Sequence, residues 1–263
     1  RGIRTNREIE QQLGLPCLGQ VPYLADIAKK RQKPHEYLLA KPRSGYAESI
    51  RSISTYLRMS NIDNPPSVIQ VTSSIPGEGK STFSTSLATL LAKSGKSTLL
   101  VDLDFHHPSI ARELGLEPDH CLVDYMVGDA PLEKALFSSD FGLTVLPVRR
   151  QAADPSVLVT SQRMRQLIDQ LKSQYDYVVV DSPPVLLVSD PKATSELVDA
   201  TILLVRWQET HADKPQNALK ELDAVGARIA GAVLAQVDMK KQEQYGYAGV
   251  GSYYKNYRKY YVD

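Results

Sequence analysis

Cysteine, tryptophan and phenylalanine are scarce in this 263-residue chain, at two, one and four residues, and neither sign of charge dominates. Cys17 and Cys121 lack metal-ligand spacing, and His35, His120 and His211 are scattered. That argues against a zinc cage or a disulfide framework and fits two idle thiols in a reducing compartment. A formal net charge of +1 argues against a general nucleic-acid binder. No apolar run approaches the roughly 18 residues that cross a bilayer. The chain opens on Arg1 without a Met and reads as an excised fragment, so membrane attachment is expected only through segments outside it.

What is present suits a folded domain of ordinary composition, 42% hydrophobic and 23% charged, with enough length to bury one large core. Residues 1–43 are poorly periodic and interrupted by Pro16, Pro22, Pro34 and Pro42, with a short helix expected over Asn6–Leu13. They read as a connector packed on a main domain. From Ser44 to Ser60, Tyr46, Ile50, Ile53 and Leu57 recur at helical spacing. Strands and helices then alternate. Strands are expected at 68–72, 97–102, 143–148, 177–181, 200–205 and 229–237. Helices are expected at 80–93, 109–114, 122–126, 162–174, 192–198 and 214–225. Apolar strands alternating with helices imply a mostly parallel sheet covered on both faces, an α/β class with its polar loops meeting at the carboxyl edge.

Between the first strand of that alternation and its helix lies Ser74-Ile75-Pro76-Gly77-Glu78-Gly79-Lys80-Ser81-Thr82. This is the P-loop pattern with Ser74 in place of the first glycine. Glycines let backbone amides turn inward around phosphate oxygens, and the helix start adds its positive dipole end. Lys80 would reach the β- and γ-phosphates of ATP, and the Ser81 hydroxyl would bind Mg²⁺. Gly-Lys-Ser alone is a weak signal; its place between strand and helix makes it strong. A helix cap without ligand is the alternative.

Two strands end in acids at the same edge: Asp102-Leu103-Asp104, and Asp181-Ser182-Pro183-Pro184. Magnesium prefers hard oxygens and keeps several waters, so one direct ligand plus water-bridged carboxylates suffices. Asp181 is the Walker B candidate. Asp102 and Asp104 alternate on a strand and share a face. A single Asp there would read as a turn former; three at one edge read as a site. His106 and His107 follow and read as loop residues, with a proton shuttle or phosphate contact as the alternative.

Seven of the fourteen tyrosines, Tyr245, Tyr247, Tyr253, Tyr254, Tyr257, Tyr260 and Tyr261, lie in the last nineteen residues. Their spacing is irregular, among glycines and basic residues, which fits a solvated flexible tail over 241–263 rather than a core. Such phenols either dock a partner or are themselves modified. From Lys240 onward there are five Lys or Arg against two acids, so the tail is mildly basic. Extended at about 3.3 Å per residue, it reaches roughly 75 Å, enough for its own site or a neighbour's.

Together these motifs resemble the bacterial tyrosine autokinases, or BY-kinases, over Tyr46 to Asp263; Leu13 to Pro22 resembles that family's connector from a transmembrane helix. The resemblance implies a P-loop kinase domain over 44–240 between a juxtamembrane connector (1–43) and the tyrosine tail. It implies the cytoplasmic part of an inner-membrane polysaccharide co-polymerase serving capsule or exopolysaccharide export. Lys80 and Ser81 would belong to Walker A, Asp102 and Asp104 to Walker A′, and Asp181 to Walker B. ATP with Mg²⁺ would phosphorylate the tail tyrosines, typically across a homo-oligomeric ring, and a phosphotyrosine phosphatase would reset them. Asp104 would accept the phenol proton and Asp102 would hold magnesium through water, roles that could be exchanged.

Three positions depart from the family pattern. His106 stands where an arginine is usual. On the helix expected to close the ring, Glu48 and Arg51 match and Ser54 replaces a second arginine. Ala235 replaces an asparagine near the end of the last strand. Two alternatives share the site: a partitioning or septum-placing ATPase, whose lysine after the loop's first residue is here Ile75, and a non-catalytic nucleotide-binding scaffold.

Overall fold

The computed structural model describes residues 1–25, 27, 31–149 and 151–244. Eight strands form one sheet: β1 (Cys17–Pro22), β2 (Val68–Ser73), β3 (Thr98–Asp102), β4 (Phe137–Ser138), β5 (Leu143–Leu146), β6 (Tyr177–Asp181), β7 (Ala200–Arg206) and β8 (Ile229–Val237). Their order is β1-β8-β7-β2-β6-β3-β5-β4. Every neighbouring pair is parallel except β4 with β5. β2, β3 and the last four residues of β6 are buried, which is why they read as unbroken apolar runs rather than as an alternation.

Period-two alternation still divides their side chains between two core layers. Leu100 and Val179 face one side with Phe83 and Leu87 of α4 (Lys80–Lys93) and with Ile50 and Ile53 of α3 (Gly45–Met59). Leu99, Val101, Val178 and Val180 face the other, against Met164, Leu167 and Leu171 of α9 (Gln162–Gln174). Each fully buried Leu or Phe in these layers contributes about 2 kcal/mol through the area it removes from water. Helix starts are specified locally: Ser44 accepts from the Ala47 amide at 3.2 Å and Ser161 from that of Met164 at 3.1 Å.

The expected connector contributes elements to this same body. α1 (Asn6–Leu13) carries a Thr5–Glu8 capping box and buries Ile9. β1 pairs with β8 at the sheet edge, and α2 (Pro34–Ala40) packs on α4. The five residues between Pro16 and Pro22 carry little strand signal, and an edge strand tolerates proline at its end. The remaining helices are α5 (Ile110–Leu114), α6 (Leu122–Val127), α7 (Leu132–Ala135), α8 (Pro155–Thr160), α10 (Asp190–Ser195), α11 (Asp213–Ala224) and α12 (Met239–Gln244).

The helix expected over 192–198 begins earlier, at Asp190, because Pro191 suits a first helical turn. Helix α12 runs into the stretch expected as tail, and Gln242 is buried and donates to Gln20 Oε1 at 2.9 Å. Among the described residues no helix is long and apolar enough to cross a membrane.

Candidate active site

Strand β2 lies at the middle of the sheet, between β6 and β7, so the loop that follows it opens at the centre of the carboxyl edge. That loop turns through Gly77 at φ 80° and Gly79 at φ 90°, left-handed values that a Cβ would strain. Gly79 caps α4 without a side-chain hydrogen bond, leaving the first-turn amides free to face an anion. Ser74, Pro76, Gly77, Glu78, Gly79, Lys80, Ser81 and Thr82 thus lie on one continuous turn into a helix start, with Ser74 itself buried.

Glu78 stands apart from the others. Its side chain turns into the protein and is 1% exposed. Oε2 accepts from the Ser74 and Ile75 amides at 2.8 and 3.0 Å. Oε1 accepts from the Arg206 amide at 3.2 Å and from the Thr210 hydroxyl. Burial pushes this carboxyl above the usual carboxylate range, while its four donors pull the other way. Its side chain ties the loop to the end of β7, so only its backbone is available to a ligand.

The acids converge below the loop. Ser81 Oγ donates to Asp181 Oδ2 at 2.7 Å, and Ser84 Oγ donates to Oδ1 at 3.0 Å. The Ser109 hydroxyl lies 2.5 Å from Ser81 Oγ and must be the donor, since Ser81 has spent its own hydrogen. Asp102 is paired in register with Asp181 across β3 and β6. Its Oδ1 accepts from the Asp104 amide at 3.0 Å, and its Oδ2 from the Ser109 and Ile110 amides at 3.2 Å each. Asp104 Oδ1 accepts from the His106 and His107 amides at 3.2 and 2.9 Å. Among the described residues its Oδ2 has no hydrogen-bond partner.

Burial raises the Asp181 carboxyl to about 6, with the Lys80 charge and the two serine hydroxyls opposing. Burial first, and the Asp181 charge second, hold Asp102 well above the usual range. A hydroxyl beside buried carboxylates short of positive charge fits a hard divalent cation. Among the described residues no group of three His, Cys, Asp or Glu could hold a metal unaided. Magnesium, which keeps waters and takes phosphate oxygens, needs no such group.

Beside the loop is a cavity of about 220 Å³, lined by Tyr23 and Ile27 from the N-terminal segment, Thr82 and Phe83 from α4, and Ala235 and Gln236 from β8. Gln236 has φ 57° and donates to the Gly77 carbonyl at 3.0 Å. The sequence pattern drew attention to Ala235, whereas the polar contact to the loop comes from its neighbour. Thr82 also reaches Glu113 Oε1 at 3.4 Å, and Glu113 Oε2 reaches Lys33 Nζ at 3.4 Å, linking the N-terminal segment to the phosphate loop. Ser109, Gln236, Glu113 and the Arg206 amide are site residues that sequence reasoning missed. Ser109 alone left a trace, by following the acidic motif.

His106, expected as a loop residue, is held from a distance: its Nε2 lies 3.0 Å from Asp190 Oδ2. Glu48 and Arg51 pair with each other on α3, and Arg51 also donates to the Pro42 carbonyl at 3.0 Å. The seven tail tyrosines lie outside the described residues.

Comparison with known proteins bears on the fold and the family. The AAA domain family matches residues 66–213. The putative tyrosine-protein kinase EpsB of Ralstonia nicotianae (strain ATCC BAA-1114 / GMI1000) is 30% identical over 98% of the chain and 35% of its own length. The succinoglycan biosynthesis transport protein ExoP of Rhizobium meliloti (strain 1021) is 28% identical over 100% of the chain and 37% of its own length. The chain therefore spans about a third of each of these two relatives. The kinase domain of the Escherichia coli tyrosine kinase ETK superposes with a TM-score of 0.85 at 25% identity, covering 91% of this chain and 96% of that one. The mostly parallel sheet is thus the P-loop NTPase fold, in the form carried by bacterial tyrosine-kinase domains.

Proposed function

This chain belongs to the AAA domain family, and we propose that it is an ATP-dependent protein-tyrosine kinase acting on its own C-terminal tyrosines. The observation that carries the reading is the Ser81–Asp181 hydrogen bond under an amide cradle. It is the arrangement that holds a magnesium–triphosphate, in a chain similar to tyrosine kinases over nearly its full length.

Phosphoryl transfer asks the protein mainly for alignment and for neutralised charge. The loop amides and Lys80 hold the phosphates, and bound Mg²⁺ would neutralise the charge developing between them. Ser81 and Asp181 would hold the metal. Asp102, with both oxygens given to amides, shapes the turn from 102 to 110. The apolar cavity at Phe83 and Ala235 takes the base, with Gln236 locking the loop beside it. On the acceptor side, Asp104 Oδ2 or His106 would receive the phenol proton.

The acceptors we propose are Tyr245, Tyr247, Tyr253, Tyr254, Tyr257, Tyr260 and Tyr261, reached in trans within a homo-oligomer that Glu48 and Arg51 help close. Each phosphate adds close to two negative charges. Two or three would reverse the tail's basic balance and expel it from a phosphate-filled cleft, loosening the assembly. By likeness to ExoP, the switch would serve polysaccharide export at the inner membrane, with a phosphatase resetting it.

The test is to incubate the protein with Mg-ATP and map phosphate by mass spectrometry. Phosphotyrosine confined to positions after Lys241, and lost in Lys80→Met, supports the kinase. ATP hydrolysis without phosphotyrosine would indicate a partitioning-type ATPase, and neither activity a scaffold.

A further inference from the structure

His106 is built into a dyad that the nucleotide site does not use. The ring lies two residues beyond Asp104, whose Oδ1 holds the His106 amide at 3.2 Å. Gln151 Nε2 donates to the His106 carbonyl at 2.8 Å, fixing the backbone from the other side. The side chain is 30% exposed, yet Nε2 rests 3.0 Å from Oδ2 of Asp190, whose own side chain is fully buried. Asp190 is the first residue of α10, so it sits on a packed helix rather than a loop. Its second oxygen, Oδ1, accepts from Ser156 Oγ at 3.3 Å. Three segments distant in sequence thus orient one imidazole, two positions beyond Asp104.

The hydrogen bond decides the tautomer. An ionised carboxylate only accepts, so Nε2 must carry a hydrogen. In a neutral ring the other nitrogen, Nδ1, is then a bare acceptor, and it has no partner among the described residues. A base held by a third group that also offsets its positive charge is an arrangement that general-base catalysis uses. By contrast, Asp104 already spends one oxygen on holding the turn.

We propose that His106, oriented by Asp190, is the general base for the acceptor tyrosine. Resting on the kinase reading above, the step runs as follows. The tyrosine O–H donates to Nδ1. As the phenol oxygen bonds to the γ-phosphorus, the bond from that phosphorus to the β-phosphate oxygen breaks and the diphosphate leaves with its electron pair. The phenol proton moves to Nδ1, the Asp190 carboxylate balances the imidazolium, and the proton then leaves through the exposed side of the ring. Asp190 is a positioning residue: it acts only through His106.

The experiment compares the full chain with His106→Gly, His106→Gln and Asp190→Asn in a single-turnover reaction with Mg-ATP. It reads phosphotyrosine formation and, separately, affinity for a fluorescent ATP analogue. Loss of a general base costs about 10²-fold or more. His106→Gly is expected to lose that factor in phosphotyrosine formation, hold nucleotide affinity within about twofold of wild type, and recover part of its rate with added imidazole. His106→Gln keeps a donor for Asp190 without a basic nitrogen, so it loses the same factor and settles the matter if the glycine variant is unstable. Asp190→Asn slows transfer by roughly tenfold, without imidazole rescue. Wild-type rates in both His106 variants, or a loss in His106→Gly that imidazole does not relieve, overturn the assignment of His106. A wild-type chain that forms no phosphotyrosine overturns the kinase reading itself.

Discussion

The Ser81 hydroxyl donates to Asp181 Oδ2 at 2.7 Å, joining two motifs a hundred residues apart at adjacent strand ends. Ser81→Ala removes one oxygen from the proposed magnesium site and leaves Asp181 Oδ2 without that donor. A hydrogen bond to a charged group is worth about 1.5–3 kcal/mol, or roughly 10- to 100-fold in affinity. Calorimetry should show Mg-ATP binding weakened by that factor, with ADP in chelator bound equally by both proteins. Equal loss with and without magnesium would remove Ser81 from the metal.

The raised Asp181 carboxyl gives stability a definite pH dependence. Its folded value of about 6 lies above the usual 3.8, so between those values the folded state binds more protons than the unfolded state. The nucleotide-free chain therefore loses stability from this group as pH rises from about 4 to 6. Asp181→Asn removes that loss. Relative to wild type it should gain on the order of 3 kcal/mol between pH 4 and pH 7, read by urea denaturation. A mutant-minus-wild-type difference that does not change with pH would contradict the assignment.

Glu78 is expected to matter more to the fold than to the ligand. Glu78→Ala leaves the Ser74, Ile75 and Arg206 amides without their carboxylate. Unsatisfied buried donors cost about 1–3 kcal/mol each, partly relieved by relaxation, so the net loss should be about 3 kcal/mol. The exposed Glu117→Ala should change stability by less than about 0.5 kcal/mol. Chemical denaturation measures both, and a Glu78→Ala loss as small as the control would refute the staple.

Gly79→Ala tests the cradle. A Cβ there would sit 3.2 Å from Gln236 Nε2 on a backbone at φ 90°. Left-handed strain costs roughly 1–2 kcal/mol at a non-glycine residue. Affinity for Mg-ATP should fall about tenfold or more with far-UV circular dichroism unchanged. Wild-type affinity would mean the loop's conformation is not what binds.

Much of this was legible in the chain. Buried parallel strands announce themselves as apolar runs, and 80–93, 162–174, 177–181 and 229–237 appear at their expected bounds. The P-loop reads clearly because its chemistry is local: glycines, a lysine and a hydroxyl within a few residues. β1 and α2 were not legible, since their stability comes from partners rather than from a period of their own. Likewise Glu78 reads as one more loop residue until Thr210 and the Arg206 amide are seen to hold it.

Composition and short-range spacing determined the class of fold, the phosphate loop and the acids at two strand ends, because each depends on neighbours in the chain. Only the tertiary structure decided that Asp102 faces Asp181, that Gln236 rather than Ala235 makes the polar contact to the loop, and that Asp190 holds His106. Those relationships are set by strand order and register. Residues 79 to 159 positions apart meet there through packing that no local pattern encodes.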